Sequence, residues 1–158
     1  MTLLHTTEFR VLARERAAAW LAAHSITSLR ISLGLVFLGF GVLKFFPGAS
    51  PAEALVIRTL DTLTLGIVDG RNAVLLTALM ECFIGLTLVT GKFLRTGLLV
   101  LGLSLVGIMS PLVLFFGDLF PGTPTLEAQY VLKDIVLAAA GLVIAAKALA
   151  ASPLRLRA

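Results

Sequence analysis

Four stretches of this chain stay apolar for about the twenty residues a helix needs to cross a bilayer core. They are 26–46, 73–90, 97–116 and 130–148. Backbone inside lipid must satisfy its own hydrogen bonds, so runs of this kind fold as helices. The expectation is an all-α membrane protein, a four-transmembrane-helix bundle formed by residues 26–148 as one domain. Composition agrees. Of 158 residues, 58% are hydrophobic and 14% charged, where soluble domains run at about 45–50% and about 25%. Nucleic acid is not an expected partner, because no lysine–arginine block forms a binding surface.

The segments between the runs refine this plan. Residues 1–25, "EFRVLARERAAAWLAAHS" at their core, place Arg10, Arg14 and Arg16 among Phe9, Leu12, Trp20 and Leu21. That pattern suits an N-terminal amphipathic helix lying on the membrane surface. The first loop holds "SPAEALVIRTLDTLTL", in which Ser50, Pro51 and Glu53 have capping-box spacing. A short helix over Pro51–Leu65 is expected there. Residues 149–158 form a basic tail.

Lysine and arginine near span ends set orientation. Arg10, Arg14, Arg16, Arg30, Lys92, Arg95, Lys147, Arg155 and Arg157 fall on one side, against Lys44, Arg58, Arg71 and Lys133 on the other. Both termini are therefore expected in the cytoplasm, with the first and third loops outside.

Few residues can carry chemistry. Glu81 sits near the middle of "AVLLTALMECFIGLTLVTG", where an ionised side chain costs about 2.5–3.5 kcal/mol on insertion scales. It is either helix glue or a ligand or proton site with a lysine partner. Lys133 and Asp134 interrupt the last run, and Tyr130 shares their helix face. Taken alone they read as a snorkelling anchor at a span end. Depth argues otherwise: a rise of 1.5 Å per residue puts Glu81 about 12 Å and Lys133 about 5 Å below their outer ends. Lys44 closes the first span on the same side, so two lysines and two acids can meet in the outer half of the bundle. Glu53 reads mainly as a cap, and Arg58 as a partner of Asp61. Pro111 should kink the third span and free a carbonyl near Gly107. Gly34, Gly41, Gly102, Gly107, Gly141 and Ala145 suit close helix contact. One cysteine, Cys82, excludes an internal disulfide, and no metal site is expected. Catalytic residues are not legible.

The stretches "LRISLGLVFLGFGVLKFFPGASPAE", "LMECFIGLTLVTG" and "YVLKDIVLAAAGLVI" resemble the DoxX superfamily, in particular its YkgB/RclC-like branch of small bacterial inner-membrane proteins. The resemblance implies a four-helix bundle in that membrane and a link to redox or oxidative-stress physiology. It places the family's polar signature on Lys44, Glu53, Glu81, Lys133 and Asp134.

The resulting expectation is an outward-facing polar pocket for a quinone-like or other small redox-active molecule. Lys44, Glu81, Tyr130, Lys133 and Asp134 would bind it, with Asp134 orienting Lys133; Glu53, Arg58 and Pro111 are secondary candidates. Quinone is the one cofactor this reading admits. Its partners are the lipid bilayer, a redox or membrane-complex partner, and other copies of the chain in a homo-oligomer. A non-enzymatic assembly or chaperone-like subunit is the alternative, and a small transporter a third.

Overall fold

The computed structural model describes the backbone of residues 2–150 and the side chains of residues 12–150. The side chains of His5, Phe9 and Arg10, and the tail residues Arg155 and Arg157, lie outside the described residues. Seven helices are present among the described residues: α1 (Thr2–Leu43), α2 (Glu53–Leu63), α3 (Gly70–Thr90), α4 (Leu94–Met109), α5 (Pro111–Leu114), α6 (Phe116–Leu119) and α7 (Leu126–Ala150).

Three helical segments are long and apolar enough to cross a membrane: Leu12–Leu43, Gly70–Thr90 and Leu94–Leu114. With 25 residues, α7 has the length, but Lys133 and Asp134 break its apolar run. It packs with α1 and α4, closing a ring in the order α1–α3–α4–α7. The ring's core is Leu33, Phe37, Ile84, Leu88, Leu101 and Ile144. Outer faces carry exposed Leu35, Leu79, Leu86, Leu99, Leu103 and Leu142, an apolar surface suited to lipid rather than water.

The arm is not a separate surface helix. It continues into the first span without a break, giving α1 42 residues and a length of about 63 Å. No glycine or proline stands before Gly34, and "ERAAAWLAA" is built of strong helix formers. The helix stops at "KFFPG". There the amides of Lys44, Phe45 and Phe46 donate to Gly41, Val42 and Leu43 at 3.1–3.2 Å, tightening the last turn before Pro47.

The expected capping box is also absent. Ala52, not Ser50, precedes α2, and the Ser50 hydroxyl is buried with no hydrogen-bond partner. The Glu53 carboxylate instead accepts the Gly48 amide at 2.8 Å. Gly48 has φ +75°, a conformation that turns its N–H back towards the helix start. At the other break, Pro111 divides α4 from α5 and leaves the Gly107 carbonyl without its i+4 amide. Ser110 fills the gap, donating its hydroxyl to that oxygen at 2.7 Å. The third expected span is thus broken after Met109, its apolar segment running on through α5 to Leu114 and α6 following.

α1 and α3 share the largest interface, and small residues make it close. A Cβ on Gly85 would lie 2.7 Å from the Leu38 nitrogen and 2.8 Å from the Gly34 oxygen. Gly34 and Gly41 face α3 as tightly, each 2.9 Å from α3 backbone nitrogen. Gly141 meets Leu101, whereas Gly102 and Gly107 face open space and make none of the close contacts expected of them. Gly85→Ala should therefore lower stability by about 1–3 kcal/mol through overpacking, and Gly102→Ala should not. Thermal unfolding in a defined detergent compares the two directly.

Candidate functional site

Gly41 sets the geometry of the site. Its missing side chain lets α1 lie against Glu81 and Cys82 of α3, just before α1 ends at Leu43. Lys44 follows three residues later on the same face, so its ammonium arrives at the Glu81 carboxylate. Lys44 Nζ and Glu81 Oε2 are 2.7 Å apart. The two residues are 3% and 6% exposed, so this is a buried, mutually satisfied ion pair. The sequence places Lys44 and Glu81 in one outer cluster, and here the structure joins them directly.

Lys133 and Asp134 reach the same cavity but not the same pair. α7 begins at Leu126, where the Thr125 hydroxyl accepts the Ala128 amide at 3.2 Å. Lys133 is thereby about 10 Å from the helix start, deeper than the sequence estimate. Its ammonium lies 3.8 Å from the centre of the Tyr130 ring and 5.3 Å from that of Phe40. Both are within cation–π range. Among the described residues, Lys133 forms no ion pair with a carboxylate. The rings flank this lysine, and Asp134 interacts with it electrostatically without a salt bridge within 4.0 Å among the described residues. Asp134 is half-buried beside it and also lines the cavity.

Phe40 links the two halves. Lys44 Nζ lies 6.0 Å from the centre of the same ring, so one aromatic side chain is shared by both ammonium groups. Sequence reasoning missed Phe40, although its position four residues before Lys44 marks it as facing the same way. It also missed Ser104, whose buried hydroxyl has no hydrogen-bond partner and lines the cavity. That serine is the one hydroxyl-bearing residue between Gly97 and Met109.

The cavity encloses about 810 Å³. Its walls are mainly aliphatic and aromatic, with Lys44, Glu81, Ser104, Tyr130, Lys133 and Asp134 as the principal polar groups. Pro111 and Gly107 stand on the α4 side, so the helix break borders the site. The end of the cavity beside Lys44 is not an open funnel, because α2 lies across it. Leu55, Val56, Thr59, Leu60 and Leu63 of α2 line the cavity. Leu55 also packs on Phe115, Leu119 and Ala128.

The secondary candidates hold this roof. Arg58 does not pair with Asp61; it crosses to Asp118 at 2.6 Å and lies over the Phe115 ring at 3.9 Å. Glu53 stands 4.0 Å from Arg71, which donates to the Phe45 carbonyl at 2.6 Å. Neither Glu53 nor Arg58 lines the cavity. At the opposite end of the interface, Arg30 donates to the Leu88 and Val89 carbonyls near the C-terminus of α3. There it complements the negative helix end.

No family model, curated protein or solved structure matches this chain.

The Lys44–Glu81 pair makes a quantitative expectation. Breaking a buried pair by removing one partner costs about 3–5 kcal/mol, because the other charge is left without compensation. Lys44→Met and Glu81→Met should each be destabilised on that scale. The double variant, which buries no charge, should recover most of the loss, and unfolding measurements on the three variants decide it.

Proposed function

We propose that this protein is a four-span bacterial inner-membrane protein whose cavity binds a small quinone-like molecule in redox or oxidative-stress physiology. The observation that carries the reading is Lys133. Its ammonium is held against two aromatic rings, forms no salt bridge among the described residues, and borders a cavity of about 810 Å³. That volume lies within the about 300–1,000 Å³ typical of small-molecule sites. An apolar wall with a few convergent polar groups suits a flat ring bearing carbonyl oxygens.

Each side chain then has a part. Lys133 donates to a ligand oxygen, with Tyr130 and Phe40 fixing its direction. The Lys44–Glu81 pair offers a polar but neutral wall, since each charge answers the other at 2.7 Å. Ser104 supplies a hydroxyl without a protein partner. Bound quinone would supply the two-electron chemistry; these residues bind and orient it. The redox link itself rests on the DoxX resemblance of "GVLKFFPGASPAE" and "YVLKDIV".

The same reading makes α7 the fourth span. Lys133 and Asp134 both line the cavity, so they face the bundle interior as intramembrane charges do. The basic-residue asymmetry then places both termini in the cytoplasm. Single cysteines in a Cys82→Ser background test this. Thr123→Cys should react with an impermeant thiol reagent added outside intact cells, and Lys92→Cys should not.

Ligand binding has its own test. Protein isolated in native lipid discs should yield a co-purified quinone on solvent extraction and mass spectrometry. Lys133→Ala should lower the amount by about tenfold or more, the loss expected when a charged hydrogen bond worth 1.5–3 kcal/mol is removed. Lys133→Arg should retain part of it. Equal yields from wild type and Lys133→Ala would refute the assignment.

A further inference from the structure

The cavity has no sealed wall on its lipid side. Besides Leu63 on α2 and Leu76 on α3, four large exposed apolar residues line it on α7 and its two neighbours: Val36 on α1, Leu103 and Val106 on α4, and Val136 on α7. They are 37%, 71%, 71% and 69% exposed respectively. All four are aliphatic, and α7 lies between the other two helices, in contact with both. The aqueous end is different. α2 lies across it with five residues, of which only the last, Leu63, is exposed, and the Arg58–Asp118 and Glu53–Gly48 contacts hold it on both flanks.

Resting on the proposed ligand site, we infer that the ligand reaches it sideways from the bilayer, and that its class is a membrane-dissolved amphipath with an apolar tail. The polar groups lie inside the ring and the aliphatic gap lies at its edge. A molecule filling both would set an oxygen-bearing head against Lys133 and leave its tail between Val136 and the α4 residues, in lipid. A compact, water-soluble molecule would match the head region alone. It would leave the aliphatic rim, Leu103, Val106 and Val136, without a role. Because lipid is as apolar as the rim, the tail sets the route of entry and gains no hydrophobic affinity by moving from one to the other.

The rim can be blocked without touching the polar groups. The probe is a decyl-substituted benzoquinone, supplied in the lipid of nanodiscs holding the full chain, with association followed by quenching of protein fluorescence. Val106→Trp and Val136→Trp should slow association by about tenfold, a barrier increase near 1.4 kcal/mol. Leu142→Trp serves as a fold control, on the same helix, 72% exposed and away from the cavity, and should leave the rate unchanged. Arg58→Ala, which loosens the roof, should leave it unchanged too. Rim variants that bind at the wild-type rate, or an Arg58→Ala variant that binds faster, would overturn the lateral route while leaving the binding site standing. Failure of the wild type to bind the probe at all would overturn the site reading and this inference together.

Discussion

The ion pair between Lys44 and Glu81 is the contact around which the cavity end of the bundle is organised. Neither charge could be held alone at 3% and 6% exposure, since the desolvation of an unpaired ion costs several kcal/mol. Each is tolerable because the other lies 2.7 Å away. That distance depends in turn on Gly41. A side chain there would meet the Cys82 amide at 2.9 Å and the Glu81 Cβ at 3.0 Å, and would push α1 off α3. Small residues at one level of the interface therefore decide whether charge can exist at the next. Salt bridges of this kind fix register more than they add stability, and here the register fixes where the cavity lies.

Lys133 follows a different physical logic. Among the described residues it forms no salt bridge, and its ammonium stands against the negative faces of Tyr130 and Phe40, at 3.8 Å and 5.3 Å. The side chain stays exposed, and cation–π contacts leave its N–H donors free for another acceptor. The two lysines thus differ against one phenyl ring: Lys44 is buried with its charge answered by Glu81, whereas Lys133 is exposed and able to donate to a ligand. This asymmetry separates a structural charge from one that can recognise something.

The sequence was most legible where one residue type has one physical consequence. Apolar runs placed the long helices, Pro111 located both the break and the carbonyl it frees, and the mid-span Glu81 pointed to a lysine. It was least legible where several partners compete. Arg58 had Asp61 within reach on its own helix, yet it bonds Asp118, because the fold brings α6 over α2 together with the Phe115 ring. Ser50 and Glu53 had the spacing of a cap, yet the left-handed Gly48 offers its amide to Glu53 first. Gly85 could not be ranked above Gly102 by periodicity, since only the partner helix decides which glycine is crowded. Local pattern reported residue chemistry well; tertiary competition decided the pairings.

The break at Pro111 connects these strands of reasoning. A proline in a lipid-facing helix would expose an unpaired carbonyl to hydrocarbon, which costs several kcal/mol. Here the Ser110 hydroxyl takes the Gly107 oxygen at 2.7 Å, so the helix can end without that cost. Ending it frees the next residues to form α5 and α6, which turn over the cavity and carry Phe115 and Asp118 to α2. An unbroken α4 would run on along its own axis and leave the roof without Arg58's partner. One serine–proline step thus brings α6 to α2 at one end of the cavity, while exposed aliphatic residues of α4 and α7 line its side.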